Sequence, residues 1–422
     1  MSGPTVMLVA AEASGDSLGA ALAAALRQRL GERVRFVGVG GARMAVAGID
    51  SPFDIAALSI LGPIDALAAW PLVVKRARQT AAVAAREHPD VVVLIDAWGF
   101  NLRVARRLRR LDPDLTLIKY VAPQVWATRP GRAKTLARTV DRLLTIHAFD
   151  APLFERVGLP VTFVGNPALS RDFSTADPAR FRVRLGAGPA DPILLVLPGS
   201  RAGEVDRLLP PFEAAVNILK AARPELRVVV AAAETVAPAV RDRVAAWTHG
   251  ALVIEGEGAR LDAMRAATVA LACSGTVTTE LALAGCPMVV AYRLGSLSHL
   301  IVKRLIRTPW ITLFNVAARA FVAPELVQND CNGPALAREI ALRLDDPALR
   351  ATQIADQTTA LEIMRGGITD PIGAAADAVI EALNESVRQL PGRILSPRCS
   401  RFGSDRRASD LRIDGVEPFE GA

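Results

Sequence analysis

The stretch VVVLIDAWGFN, from Val91 to Asn101, contains five consecutive aliphatic residues, then an aspartate and a turn with a glycine. A continuous apolar run bounded by turn signals is typical of a strand buried on both faces, and such strands form parallel sheets covered by helices. Asp96 then lies at the carboxyl end of its strand, where open α/β sheets bind ligands. An acid there can also cap the helix expected near Asn101, so a catalytic and a structural role are both open.

The length and composition of the chain suit two α/β domains. Its 422 residues exceed one ordinary core, and 51% hydrophobic residues with 22% charged residues exclude global disorder. A formal charge of +7 favours anionic partners such as nucleotides or phospholipid headgroups. Aromatic residues make up 5% of the chain and are not interleaved with basic ones, so no nucleic-acid partner is expected.

The cysteines and the N-terminus favour a cytoplasmic protein. The four cysteines have no CxxC spacing and no neighbouring histidines, which predicts neither a zinc site nor a disulfide framework. The first residues, MSGPTVMLVAAEASGD, lack a basic region and a cleavage site, so we expect a first strand there and not a signal peptide.

Apolar runs alternate with helical patterns on both sides of Val91–Asn101, which predicts two doubly wound domains, residues 1–169 and 170–347. In the first, we expect strands at Thr5–Ala11, Arg35–Gly40, Leu115–Val121, Val140–His147 and Val161–Val164, besides the strand before Asp96. In the second, we expect them at Pro192–Leu197, Arg227–Ala233, Leu252–Glu255, Val269–Cys273 and Met288–Tyr292. Residues 170–191 are predicted as a hinge region, 370–388 as a helix that returns to the first domain, and 391–422 as a disordered tail.

Three turns at predicted strand ends carry small, hydroxyl or acidic residues. Glu12–Asp16 suits either a loop that faces a sugar or phosphate or a simple capped turn. Gly199–Arg201 and Ser274–Thr276 each lead into a helix, where backbone N–H groups and the helix dipole suit a diphosphate. Plain capping by a serine explains one of these two turns well and both less easily.

Residues 57–75 form an apolar segment almost as long as a membrane span. Two prolines and Asp65 interrupt it, which argues against spanning. Trp70 beside Lys75 and Arg76 favours a segment that lies on an anionic membrane surface, although an ordinary core helix also fits.

Four segments resemble the lipid A disaccharide synthase family: Ala11–Asp16, Val121–Lys134, Gly199–Glu204 and Ser274–Arg293. The resemblance implies an inverting glycosyltransferase of GT-B type, with two Rossmann-like domains facing across a cleft. It implies transfer of 2,3-diacylglucosamine from UDP to 2,3-diacylglucosamine 1-phosphate (lipid X), which yields a β-1,6-linked disaccharide and UDP. It also implies a peripheral protein on the cytoplasmic face of the inner membrane of a Gram-negative bacterium, with no metal and no cofactor.

The resemblance also implies roles for individual residues, with Asp96 as the general base. It assigns donor binding to Gly199, Ser200, Arg201, Ser274, Gly275, Thr276, Glu280 and Asn315, and the acceptor side of the cleft to Glu12, Ser14, Asp16 and Trp126. It assigns membrane contact to Leu61, Leu67, Trp70, Leu72, Lys75 and Arg76.

The chain departs from the family pattern at Gly99, Thr128, Asn166, Phe314 and Ala320, and Gly99 stands where the family usually has an acid. Other functions therefore stay open: a UDP-sugar transferase with another lipid acceptor, a UDP-N-acetylglucosamine epimerase, or a non-catalytic UDP- or lipid-binding protein. The apolar segment argues against a soluble epimerase. The oligomeric state is left open, with a homodimer as one option.

Overall fold

The computed structural model of the chain describes residues 3–58, 70–125, 130–294 and 308–388. The described residues up to 165, together with those from 370 onward, form one compact unit, and those from 166 to 369 form a second. Within these ranges, no helix combines the length and the hydrophobicity that crossing a membrane requires. The expectation for residues 391–422 lies outside the described residues.

The first unit is built on a parallel sheet of six strands in the order β2-β1-β3-β4-β5-β6. The strands are β1 Thr5–Ala10, β2 Arg35–Val39, β3 Val91–Ile95, β4 Thr116–Tyr120, β5 Arg142–Thr145 and β6 Val161–Phe163. Every residue of β1 and β3 is buried, because helices cover both faces of the sheet. The chain reverses its direction of winding between these two strands, which pair at Ala10 and Ile95.

Helices of the first unit follow the strands in the alternation that the sequence predicts. They are α1 Ala13–Leu30, α2 Ala42–Val46, α3 Trp70–Glu87, α4 Trp98–Leu111, α5 Gly131–Ala137 and α6 Ala151–Glu155, with short 3-10 helices at Ile55–Leu58 and Ala148–Asp150. Apolar side chains of α3 and α4 form one core with β1 and β3, and those of α1 form a second core on the opposite face.

The second unit repeats this design with a parallel sheet in the order β12-β11-β10-β7-β8-β9. Its strands are β7 Ile193–Leu197, β8 Arg227–Ala231, β9 Leu252–Ile254, β10 Val269–Cys273, β11 Met288–Tyr292 and β12 Glu325–Val327. Its helices are α7 Pro178–Leu185, α8 Ala202–Ala222, α9 Ala237–Ala245, α10 Glu257–Ala266, α11 Thr276–Leu283, α12 Leu313–Ala318, α13 Gly333–Asp345 and α14 Pro347–Arg365, with 3-10 helices at Pro167–Ser170 and Glu234–Val236. Here the winding reverses between β7 and β10.

Two local expectations were wrong, and one strand was not predicted. Residues 170–191 are not a plain hinge, because Asp177 caps α7 through the Arg180 amide and Phe181 is buried in the core of the second unit. The sixth strand of the second sheet, β12, was missed because three residues are too few for a recognisable apolar run. Helix α4 begins at Trp98 and not near Asn101.

A last helix, α15, spans Pro371–Arg388 and lies against α1 and β4 of the first unit. Its alanine-rich side and Val379 are buried in the same core as the apolar side chains of α1. Arg29 pairs with Asp377 at 2.6 Å, and Arg142 pairs with Glu381 at 2.6 Å. The C-terminal part of the described chain therefore completes the first unit.

Candidate active site

The predicted base, Asp96, lies at the carboxyl end of β3, beside the strand β1 at which the first sheet reverses its winding. Its Oδ2 accepts a hydrogen bond of 3.0 Å from the Ser14 hydroxyl, which belongs to the first turn of α1. The residue that caps α4 is Ala97, and no side chain bonds the amides of that helix end. The alternative that Asp96 serves as the helix cap is therefore wrong, and its carboxylate stays half-exposed at the sheet edge.

The backbone at Asp96 is held in an unusual conformation. Asp96 and Ala97 have φ angles of 50° and 40°, in the left-handed region that non-glycine residues rarely adopt. Asn101, 1% exposed, donates from its side-chain amide to the Ile95 carbonyl at 2.8 Å and to the Asp96 carbonyl at 2.9 Å. This turn lets α4 start within two residues of the strand, earlier than the sequence indicated.

A buried lysine, which the sequence analysis missed, lies directly behind this turn. Lys119 in β4 is 2% exposed, and its Nζ donates to the Asp96 carbonyl at 2.6 Å. Burial lowers the pKa of Lys119 to about 8, and the charges of Asp96 and Glu12 oppose this shift. A lysine within the otherwise apolar strand TLIKY is the signal that could have revealed it.

Glu12 and the first turn of α1, which follow β1, contain residues with two different roles. Glu12 and Ser14 are exposed, whereas Asp16 is buried. Asp16 accepts hydrogen bonds from the amides of Gly41, Arg43 and Met44 at 2.7–3.0 Å, which fixes the start of α2. These contacts show a structural task for Asp16, and substrate contact would have to compete with them.

In the second unit, the two turns proposed to hold a diphosphate follow β7 and β10, which are adjacent strands. The caps of α8 and α11 are Arg201 and Gly275, and neither helix end has a side-chain cap. Capping by Ser200 and Ser274 is therefore not observed. Both helix ends lie at the reversal of winding, where α/β sheets bind ligands.

Arg201 is the exposed cation of these turns. Its Nη1 lies 3.3 Å from Oε1 of Glu204, while Oε2 of Glu204 accepts from the Ser200 amide at 3.2 Å. Gly199 has a φ of 107°, and a Cβ there would lie 2.6 Å from Oε2 of Glu204. The glycine thus allows Glu204 to brace the turn while the guanidinium extends into solvent.

Two further candidate residues of the second unit are engaged by neighbouring groups. Glu280 is 5% exposed and pairs with Arg171 at 2.6 Å and with Arg260 at 3.0 Å. Asn315 is fully buried; its amide group donates to the Ala323 carbonyl and to Glu325, and its oxygen accepts from two backbone amides. Asn315 therefore shapes the loop beside β12, and any effect on a ligand would be indirect.

The predicted membrane contacts are described only in part, because Leu61 and Leu67, like Trp126 of the acceptor side, lie outside the described residues. Trp70 begins α3, is 44% exposed, and has the Arg103 guanidinium 4.0 Å from its ring centre. Leu72 is half-buried and Lys75 exposed.

Arg76 and Arg103 each place a guanidinium group over an aromatic ring. Arg76 is half-buried and stacks 4.7 Å over the Phe53 ring. Burial, and then the charges of Arg106 and Arg107, lower the pKa of the Arg103 guanidinium. The exposed indole of Trp70 therefore has one cationic group, the Arg103 guanidinium, directly over its ring.

Two further buried titratable residues, His147 and Asp150, follow β5. Burial lowers the pKa of His147 to about 4 and raises that of Asp150 to about 7. Thr145 donates to Oδ2 of Asp150 at 3.0 Å, whereas Oδ1 has no hydrogen-bond partner. Among the residues that the structure describes, no cluster of three or more His, Cys, Asp or Glu side chains could hold a metal ion.

Comparison with known proteins identifies the family. The family model described as Lipid-A-disaccharide synthetase matches residues 6–372. A protein of Rhodospirillum centenum named Lipid-A-disaccharide synthase is 42% identical over 92% of this chain and 98% of its own length. A protein of the same name from Paramagnetospirillum magneticum is 41% identical over 92% of this chain and all of its own.

Solved structures share the fold at low identity. The S. aureus MnaA–UDP co-structure has a TM-score of 0.59 with 14% identity and covers 92% of this chain and 98% of that one. A Neisseria meningitidis UDP-GlcNAc 2-epimerase bound to UDP-GlcNAc has a TM-score of 0.53 with 12% identity, covering 90% and 99%. These likenesses support the two-sheet α/β fold alone. From its match over most of its length, the chain belongs to the lipid-A-disaccharide synthetase family of glycosyltransferases.

Proposed function

We propose that this protein is a lipid-A-disaccharide synthase. It transfers 2,3-diacylglucosamine from UDP to the 6-hydroxyl of 2,3-diacylglucosamine 1-phosphate, and the products are the β-1,6-linked disaccharide 1-phosphate and UDP. Relatives of that name at 41% and 42% identity over nearly their whole length support this reaction. The observation that carries the proposal is the half-exposed Asp96 carboxylate, at the sheet position where ligands bind and bonded to the Ser14 hydroxyl.

The chemistry is a single displacement with inversion at the sugar. Asp96 takes the proton of the acceptor 6-hydroxyl as the oxygen forms its bond to the anomeric carbon of the donor. The bond from that carbon to the phosphate oxygen breaks, and its electron pair leaves with UDP. The hydrogen bond from Ser14 holds the carboxylate in place for this step.

The second unit is proposed to hold the donor. Negative charge grows on the diphosphate as it departs, and the amides of the uncapped α8 and α11 ends can stabilise it. Arg201 supplies a cation at the same turns. Glu280 remains the candidate acceptor for ribose hydroxyls, with Arg171 and Arg260 fixing its orientation.

Peripheral association with the cytoplasmic face of the inner membrane is part of the proposal, because both substrates carry acyl chains. The exposed indole of Trp70, with the Arg103 guanidinium over it, supports this association. Tryptophan favours the membrane interface, and arginine binds anionic headgroups.

One observation favours a second candidate, transfer to a different lipid acceptor. Gly99 is exposed in the first turn of α4 and lacks the acid that the family usually carries there. A Cβ at this position would meet only the Arg103 guanidinium, at 3.7 Å, so nothing in the described packing demands a glycine.

The test is turnover by the full chain in detergent micelles that contain UDP-2,3-diacylglucosamine and 2,3-diacylglucosamine 1-phosphate. We expect release of UDP together with the disaccharide phosphate, detected by mass spectrometry. Asp96→Asn should lower kcat by at least about a hundredfold because the amide cannot take the proton. Asp50→Asn, at an exposed acid of the same unit, should turn over normally.

Two results would contradict the proposal. UDP release without disaccharide would show that the acceptor is another molecule or water. Normal turnover by Asp96→Asn would remove this residue as the base.

A further inference from the structure

Lys119 places a buried ammonium group against the backbone of the candidate base. Its Nζ donates to the carbonyls of Asp96 at 2.6 Å, Tyr120 at 3.0 Å and Leu94 at 3.4 Å. The first of these belongs to the left-handed turn, and the other two to strands β4 and β3. A lysine that is almost fully buried is rare because desolvating its charge is costly. Three convergent carbonyl groups explain how the charge is tolerated here.

The backbone that Lys119 contacts is also the strained part of the site. Asp96 and Ala97 both have positive φ angles, which persist only where the surroundings hold them. The Asp96 carbonyl accepts from two buried donors, Lys119 Nζ and Asn101 Nδ2. The Asp96 amide, in turn, donates to the Tyr120 carbonyl at 2.9 Å. Lys119 thus bonds the carbonyl of Asp96 and also the Tyr120 carbonyl that accepts from the Asp96 amide. These two groups set the direction of the Asp96 side chain.

We propose that Lys119 is a positioning residue for Asp96, holding the Asp96–Ala97 turn in the conformation that presents the carboxylate to the acceptor hydroxyl. This inference rests on the proposed role of Asp96 as the base. An ammonium group can donate to all three carbonyls, whereas a neutral amine has only two hydrogens. Loss of the proton should therefore loosen the turn without removing any group that touches substrate.

The charges of Asp96 and Glu12 favour the protonated form of Lys119 against the effect of burial. The effect of burial is larger than that of the two carboxylates, so the pKa of Lys119 falls to about 8. We therefore expect kcat to fall as the pH rises through about 8. The donor KM should change little, because Lys119 is almost fully buried and its Nζ bonds backbone carbonyls.

The experiment compares Lys119→Met and Lys119→Gln with a matched control, Lys220→Met. Lys220 lies in the second unit, and its Nζ also donates to two backbone carbonyls, those of Pro224 at 2.6 Å and Leu226 at 2.9 Å. We expect Lys119→Met to lower kcat by roughly 30- to 100-fold with the donor KM within about threefold of the wild type, since a misplaced catalytic group costs rate more than binding. Lys119→Gln keeps hydrogen-bond donors that do not titrate. Its kcat should therefore be higher than that of Lys119→Met, and it should not fall as the pH rises above 8.

The outcomes separate this inference from the proposed function. Normal kcat in Lys119→Met, a loss no larger than that of Lys220→Met, or an unchanged alkaline decline in Lys119→Gln would overturn the positioning role, even if Asp96→Asn is inactive. If Lys119→Met does not fold, the pH profile of Lys119→Gln decides alone. Normal turnover by Asp96→Asn would overturn the base itself, and the positioning role with it.

Discussion

The hydroxyl of Ser14 donates to the carboxylate of Asp96 at 3.0 Å, joining the first turn of α1 to the end of β3. The two residues are 82 positions apart in the chain, and they meet because β1 and β3 are neighbours in the sheet. The bond limits the rotation of the carboxylate. Ser14 therefore connects the loop identified from sequence with the proposed base.

Ser14→Ala should lower kcat by roughly tenfold, because a hydrogen bond to a charged group is worth about 1.5–3 kcal/mol and part of it is replaced by water. Ser17→Ala is the matched control, since that hydroxyl lies on the same helix and donates to the Ala13 carbonyl. Steady-state kinetics with both substrates measure the effect. Equal rates for the two variants would show that the Ser14 bond does not assist Asp96.

Arg201→Ala should weaken donor use, because the guanidinium is proposed to stabilise the departing diphosphate. We expect kcat/KM for the UDP-sugar to fall by roughly a hundredfold, as for loss of one stabilising donor at a developing charge. Arg241, whose guanidinium pairs with Glu255 at 2.6 Å, provides the control, because Arg241→Ala also removes an exposed, ion-paired arginine of the second unit. A similar small loss in both variants would place Arg201 outside the donor site.

Asp150→Asn should have a higher free energy of unfolding than the wild type at about pH 8, and this advantage should be smaller at about pH 4. In the folded protein the pKa of Asp150 is raised to about 7, so the folded state binds more protons than the unfolded state above about pH 4. The wild type therefore loses stability as the pH rises toward 7, by on the order of 4 kcal/mol, and the variant does not.

Denaturant titrations of wild type and variant across this pH range measure the difference. His147, whose pKa is lowered to about 4, destabilises the folded state as the pH falls below about 6.5, but it is present in both proteins and cancels. Asp114→Asn, at an exposed acid, is the control. A stability difference that does not change with pH would contradict the raised pKa.

Trp70→Ser should reduce binding to vesicles that contain phosphatidylglycerol by roughly tenfold, because burying an aromatic side chain contributes about 1.5–3 kcal/mol. Val46→Ser is the control, since Val46 is 91% exposed on α2 and has no arginine stacked on it. Co-sedimentation with the vesicles measures binding, and comparing low with high salt separates the apolar from the electrostatic contribution to it. Unchanged binding by Trp70→Ser would remove this residue from the membrane contact.

Much of the fold could be predicted from local pattern. Strands such as Val91–Ile95 and Ile193–Leu197 are buried on both faces, and this leaves a continuous apolar run that is visible in the sequence. The short β12 and the helix α7 were missed, because each is stabilised by a few contacts with distant residues and not by a long periodic pattern. The position of Asp96 at a strand end was confirmed.

By itself the sequence determined the two parallel sheets and the family, because strand burial and family motifs are local properties of the chain. Only the tertiary structure decided which residues surround Asp96. Ser14 comes from the start of α1, directly after β1, and Lys119 comes from β4. They converge on Asp96 because β3 lies between β1 and β4 in the sheet. The order of parallel strands is set by packing among distant segments, and no stretch of the sequence records it.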